Sequence, residues 1–141
     1  GDVGVVSVGS GFSLTLQDVL AHYGFRAFDF CDCSGRPPAH KVGASVKLVF
    51  SNPTIRGFLI MSGTVTQDLT VTAQGIIDAH KALRPTIPFI VRLAGNRDRE
   101  AYQMLQEAGI QAFQREDFAE DAIGELKCQM AGAATTGGGA R

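Results

Sequence analysis

Phe58-Leu59-Ile60-Met61-Ser62-Gly63-Thr64-Val65-Thr66-Gln67-Asp68 reads as an apolar strand emptying into a small, hydroxyl-rich glycine loop. A helix follows at once, with Leu69, Ala73, Ile76, Ile77 and Leu83 on one face. A strand that is almost continuously apolar, here residues 55–61, is buried on both faces, as in the centre of a parallel sheet. Where such a strand ends at a helix, backbone N–H groups and the positive end of a helix dipole can face an anion.

The same grammar recurs upstream. Residues 3–8 form a short apolar run ended by Gly9-Ser10-Gly11, and the next helix carries Phe12, Leu16, Val19, Leu20 and Tyr23 before a stop at Gly24. Residues 26–30 alternate polar and apolar, the pattern of an edge strand. An irregular loop, 31–38, leads to a helix with Val42, Val46, Val49 and Phe50, halted by Ser51-Asn52-Pro53.

Downstream, Pro85 and Pro88 bracket the approach to a fourth strand, 89–93, and Gly95-Asn96 caps a helix with Ala101, Met104, Leu105 and Ala108. A short fifth strand spans 110–113, and a last helix from about Asp117 turns Ala119, Ala122, Ile123, Leu126 and Met130 inward. The Gly/Ala/Thr-rich stretch 131–141 reads as a flexible tail, leaving 1–130 as the domain.

Five βα units in a row require a parallel sheet with right-handed crossovers and helices on both faces. Alternation marks strands two and five as edges. The expected fold is therefore a three-layer α/β, flavodoxin-like domain with five parallel strands in the order 2-1-3-4-5. Its topological switch point lies between strands one and three, where Gly9-Ser10-Gly11 meets the loop 62–66.

With 141 residues, 45% of them hydrophobic, the chain can build one core. Its 13 basic and 14 acidic residues give no reason to expect nucleic acid or an anionic membrane as partner. No apolar run reaches membrane-span length, and Gly1-Asp2 does not open a signal peptide. With no initiator Met, the chain reads as a domain excised from a longer polypeptide. Three cysteines without a disulfide spacing point to a reducing compartment such as the cytoplasm.

The loop Ser62, Gly63, Thr64, Val65, Thr66 could cradle a phosphoryl group or carboxylate. It could equally be an ordinary turn, with Thr64 and Gln67 as a capping box or Thr66 as N-cap. Gly9-Ser10-Gly11 lacks the third glycine of a dinucleotide fingerprint, and Asp29 sits before the end of its strand. Cys31-Asp32-Cys33 finds no third and fourth zinc ligand at a recognised spacing, so no metal site is expected. His80 continues the apolar helix stripe and reads as packed; His22 and His40 read as exposed.

Gly95-Asn96-Arg97 is a second anion-compatible turn, or simply Asn96 acting as an N-cap. Arg92, inside an apolar strand, needs carboxylate or carbonyl partners or must reach the rim of the sheet. A response-regulator receiver would need acids where Gly9-Ser10 and Ser62-Gly63 stand, and a cobalamin-binding D-x-H-x-x-G loop is absent. No catalytic residue is assigned.

Several segments, in order, resemble the C-terminal CoA-ligase domain of the succinyl-CoA synthetase β subunit and its ATP-citrate lyase relatives. Gly1-Asp2-Val3-Gly4 with Gly9-Ser10-Gly11 is similar to the family's G-N-I-G strand and N-G-A-G turn. Phe30-Cys31-Asp32-Cys33-Ser34-Gly35 stands where the family has F-x-D-x-G-G, and Phe58 to Gly63 with Gln74-Gly75-Ile76-Ile77 matches its next strand, loop and helix. Val91-Arg92-Leu93-Ala94-Gly95-Asn96 resembles V-R-L-x-G-N, the most specific of these matches.

The resemblance implies a domain that follows an ATP-grasp domain and meets an α-type, CoA-binding subunit or domain carrying a phosphohistidine. It implies phosphate passing from that histidine to a carboxylate, giving an acyl phosphate that CoA attacks. The helix beginning near Thr66 would steady the phosphohistidine, with Ser62, Gly63, Thr64 and Val65 facing the phosphate and the substrate carboxylate, Gly9 and Ser10 beside them, and Thr66 at the helix start. Asn96 and Arg92 are secondary candidates.

No cofactor is expected on this domain alone; CoA and ATP or GTP with Mg belong to the complete acid–CoA ligase, and the isolated domain is expected to be inactive. A eukaryotic source would add the mitochondrial matrix as a location. Val8 replaces a family asparagine that helps bind substrate, Cys33-Ser34 interrupts the glycine-rich run, and the loop 63–75 is about two residues longer than in succinyl-CoA synthetases. The alternative is a non-catalytic interaction or regulatory module derived from this family.

Overall fold

The computed structural model describes residues 2–136. Five strands alternate with five helices: β1 (Val3–Val8), α1 (Ser10–His22), β2 (Ala27–Asp32), α2 (Ala39–Phe50), β3 (Gly57–Thr64), α3 (Leu69–Leu83), β4 (Phe89–Gly95), α4 (Asp98–Glu107), β5 (Gln111–Phe113) and α5 (Ala119–Thr136). All neighbouring strands are parallel, in the order β2-β1-β3-β4-β5. This is the expected flavodoxin-like order, with β2 and β5 at the edges.

Alternation along the central strands sorts their side chains into two cores. Val5, Leu59, Met61 and Ile90 pack with Leu16 and Leu20 of α1 and Ile123 and Leu126 of α5. Val6, Phe58, Ile60 and Val91 face the other way, against α2, α3 and α4. Each fully buried Leu, Ile or Phe contributes roughly 1.5–3 kcal/mol of transfer free energy. On the second face the rings of Phe58 and Phe89 stack at 4.9 Å.

Helices α2 and α3 approach closely because Gly75 has no side chain: a Cβ there would overlap the Ala39 carbonyl oxygen. This gives the Gln74-Gly75-Ile76-Ile77 segment a packing role.

Several boundaries differ from the sequence reading. β3 runs on to Thr64 and β4 to Gly95, because Ser62, Gly63 and Thr64 pair in register with Leu93, Ala94 and Gly95. Small polar residues at a sheet's end look like loop, yet ladder hydrogen bonds need only backbone. β2 extends through Cys31 to Asp32, and α1 begins directly at Ser10. α5 continues through 131–136, the first part of the expected tail; 137–141 lie outside the described residues.

Candidate functional site

The switch point is built by unequal strand lengths. β1 ends at Val8 opposite Ser62, while β3 continues through Gly63 and Thr64 with β4 alone beside it. Ser62 is buried and its hydroxyl donates to the Val8 carbonyl at 3.4 Å, so that side chain ties the two strands together. Gly63, Val65 and Thr66 are exposed and Thr64 is half-buried. Oγ1 of Thr64 lies 3.0 Å from that of Thr66 and accepts the Thr66 amide at 3.3 Å, which folds the strap into a hydroxyl-bearing turn.

Across from this strap, Gly9 has φ +111 and leads directly into α1, whose first residue is Ser10. That helix has no side-chain N-cap bond and no acid in its first turn, so no acidic side chain there offsets the positive end of its dipole. Below the turn, the Ser13 amide and hydroxyl both donate to the Gly9 carbonyl, at 3.2 and 2.9 Å. The Ser13 hydroxyl also meets that of Ser7 at 2.5 Å in the buried interior. Gly9 is thus held from beneath by Ser13, whose hydroxyl is backed in turn by Ser7.

α3 departs from expectation. It starts at Leu69 rather than near Thr66, and its N-cap is Asp68. Asp68 Oδ1 accepts the amide of Thr70 at 3.0 Å and its hydroxyl at 2.6 Å. The Leu69 amide donates to the Asn96 carbonyl at 3.1 Å and that of Val71 to the Asp68 carbonyl at 3.1 Å. The first three amides of α3 are therefore engaged within the chain.

The expected capping box is replaced for a physical reason. Gln67 is buried, and its Nε2 donates to the Pro37 carbonyl at 2.9 Å and to Thr72 Oγ1 at 3.2 Å, satisfying the β2–α2 loop. An Asp just before an apolar helical run was the sequence signal for the true cap.

Asn96 is exposed and is not the N-cap of α4. That position is Arg97, in the left-handed region at φ +58 with no side-chain cap bond. Asp98 takes over by reaching back: its Oδ2 accepts the Gly95 amide at 3.0 Å and Arg115 Nε at 2.9 Å. Burial pushes the Asp98 carboxyl up, but the bonds from Gly95 and Arg115 outweigh it and hold the group below the usual range. This second turn is closed by the chain's own carboxylate.

Arg92 points away from 62–66. Its Nε donates to the Asp117 carbonyl at 2.9 Å and its Nη2 to the Arg115 carbonyl at 3.4 Å, so it anchors the β5–α5 connection with carbonyl partners. Burial lowers its pKa, opposed by Asp117, Glu120 and Asp121. The structure therefore brings Gly9, Ser10 and the strap 63–66 to one rim, whereas Arg92 serves elsewhere.

His80 packs edge-on to Phe89 at 5.1 Å, and burial depresses its pKa. His22 and His40 are exposed. Among the described residues no group of three or more His, Cys, Asp or Glu could hold a metal ion, and no helix is long and apolar enough to cross a membrane. The sequence reading overlooked exposed apolar side chains at this end of the sheet: Leu14 (70% exposed) on α1, Val65 (79%) on the strap and Phe118 (72%) just before α5.

Five parallel βα units, with the first and third strand ends meeting at the switch point, define a flavodoxin-like α/β domain. Solved structures agree on the fold. A protein of Pyrococcus horikoshii OT3 superposes with a TM-score of 0.75 at 17% identity, covering 92% of this chain and 35% of that one. The dinucleotide-forming acetyl-coenzyme A synthetase 1 of Ca. Korarchaeum cryptofilum gives 0.74 at 21%, covering 95% and 34%. No family model matches the chain.

The sequence relatives are more specific. The β subunit of the ADP-forming succinate–CoA ligase of Ignicoccus hospitalis is 33% identical over 120 residues, and that of Pelagibacter ubique 30% over 122. These matches cover 84% and 86% of the chain and 32% of each relative. The chain is homologous to succinate–CoA ligase β subunits and spans about a third of their length.

Proposed function

We propose that the chain is the β-type C-terminal domain of an acyl-CoA synthetase, supplying one half of a phosphohistidine and acyl-phosphate site and the docking face for an α-type partner. The observation that carries this reading is 30–33% identity to succinate–CoA ligase β subunits, spread over 84–86% of the chain. The rim at the switch point supports the location. There Gly9 and Ser10, at the start of a helix without an acidic first turn, adjoin Gly63, Thr64, Val65 and Thr66.

In the complete enzyme an ATP-grasp domain would bind ATP or GTP with Mg, and the α-type partner would bring CoA and the histidine. This chain's part is positional. Backbone N–H groups, the Thr64 and Thr66 hydroxyls and the α1 dipole stabilise charge on a phosphoryl group in transit to a carboxylate. Ser62 acts by fixing β3 to β1 through Val8. Because the α3 amides are engaged by Asp68 and Asn96, α1 is the stronger candidate for the phosphate-facing helix. Leu14, Val65 and Phe118 at the same end suit a partner surface that covers them.

The second reading, a non-catalytic interaction module of the same ancestry, draws on the engaged α3 amides and on Val8 in place of the family's asparagine. One experiment separates the two. The chain replaces the matching third of a succinate–CoA ligase β subunit, which is then combined with its α subunit, a nucleoside triphosphate with Mg, CoA and a panel of carboxylates. Thioester formation is expected. A hybrid that assembles by size-exclusion chromatography yet turns over no carboxylate supports the non-catalytic module.

A further inference from the structure

The loop between β2 and α2 is tied to the rim segments at both of its ends. At its start the Cys33 amide donates to the Ser7 carbonyl at 2.9 Å, just before Gly9. At its close the Pro37 carbonyl accepts Nε2 of buried Gln67 at 2.9 Å, and Gln67 directly follows Thr66. Between the ties the Ser34 amide donates to Asp32 Oδ1 at 2.9 Å. Arg36 stands on this fixed loop, exposed, with no hydrogen-bond or ion-pair partner among the described residues. Three other arginines at this end of the sheet are engaged: Arg97 with Asp68 and Glu100, Arg115 with Asp98, and Arg92 with two carbonyls. No residue of the rim itself is basic. The start of α2 adds positive charge around Arg36, because its first turn carries His40 and Lys41 and no acid.

We infer that Arg36 is the cation that receives the carboxylate of the acid substrate, a role that rests on the acyl-phosphate reading of the rim. In that reaction a carboxylate oxygen approaches a phosphoryl group that is itself anionic, and the two repel. An unpaired guanidinium beside the rim offsets the repulsion, and its fork of N–H donors matches the two carboxylate oxygens. Gln67 positions it by holding the Pro37 carbonyl. The phosphoryl group keeps the start of α1 and the Thr64 and Thr66 hydroxyls. Arg36 therefore belongs to binding of the acid, not to phosphorylation of the partner histidine.

The test compares the assembled hybrid enzyme carrying the unaltered chain, Arg36→Gln or Arg36→Lys. Histidine phosphorylation by γ-labelled nucleotide is expected to be equal in all three. In thioester formation, Arg36→Gln is expected to raise the KM for the carboxylate at least about tenfold, the scale of one lost charge-assisted pair. The KM for CoA stays as it was. Arg36→Lys keeps the charge but loses the fork, so its carboxylate KM falls between the two. An unchanged carboxylate KM in Arg36→Gln overturns the assignment, and so does a loss of phosphorylation that matches the loss of thioester. A hybrid with the unaltered chain that forms no thioester sinks the reading of the rim instead. In that case, or if a variant melts early, the whole unaltered chain decides for Arg36 by nuclear magnetic resonance. Sodium acetate is expected to shift the Arg36 Nε–H signal saturably, and a shift no larger than that from sodium chloride at equal ionic strength overturns the site.

Discussion

Arg97 Nη1 stands 3.0 Å from Asp68 Oδ2, so the residue that caps α3 is tied to the residue that precedes α4. The pair is exposed, and exposed pairs add little on their own; the cap bonds to Thr70 matter more. Asp68→Ala is therefore expected to lower Tm by more than Arg97→Ala does, and Asp68→Asn, which can still cap, by less than Asp68→Ala. The Thr70 hydroxyl and amide, and then Arg97, hold the Asp68 carboxyl below its ordinary value. Its folded pKa being depressed, this contribution is whole above the unfolded value of about 3.9 and is lost as pH falls through the folded one. Thermal melts between pH 6 and pH 3 check both claims.

Gly95→Ala tests the junction of β3, β4 and α3. Gly95 has φ +145, and a Cβ there would overlap the Thr64 carbonyl oxygen. Since that oxygen belongs to the candidate rim, accommodation requires β3 to shift. A loss of roughly 2–4 kcal/mol in urea unfolding is expected, by the scale of overpacking and strained-backbone substitutions. A loss under about 0.5 kcal/mol, the range of neutral surface changes, would contradict the geometry.

His80 gives the fold a dependence on mild acid. Burial beside Phe89 depresses its pKa below the unfolded value of about 6.5. The unfolded chain then binds more protons in the window between the two values, so stability falls as pH drops through it. Urea midpoints are expected to decline from pH 7.5 to pH 5.5, and His80→Gln to flatten that decline. An equal slope in the variant would assign the acid sensitivity elsewhere.

The cysteines differ in reactivity. Burial raises the Cys33 pKa, while Cys128 is exposed on α5. Because the thiolate is the nucleophile, iodoacetamide at neutral pH is expected to modify Cys128 well before Cys33, as peptide mapping would follow directly.

Strand order, both core faces and the switch point were legible because hydrophobic periodicity reports burial, and burial dictates the layers. Helix starts were less legible. Thr64, Thr66 and Asn96 all carry capping chemistry, and which residue caps depends on tertiary partners. Gln67 is drawn inward by Pro37, leaving Asp68 to cap α3, and Asp98 reaches back to Gly95 across a turn that Arg97 opens in the left-handed region. The strap 62–64 looked like loop because the pairing that makes it strand runs through backbone alone. Arg92 was correctly marked as needing partners, but its carbonyls come from a connection 23 and 25 residues downstream that no local pattern announces.

The central claim is that the rim formed by Gly9, Ser10 and 63–66 serves phosphoryl transfer to a carboxylate and on to CoA. It is tested most directly in the assembled hybrid enzyme, comparing the unaltered chain with Thr64→Ala/Thr66→Ala. Both hydroxyls are at the surface and bond only within the strap, so the fold should persist. Phosphorylation of the partner histidine, followed with γ-labelled nucleotide, is predicted to proceed with the unaltered chain and to fall at least about tenfold in the variant, the scale of losing about 1.4 kcal/mol of transition-state stabilisation. Equal phosphorylation and equal thioester formation by both hybrids would contradict the account and leave the strap as a turn.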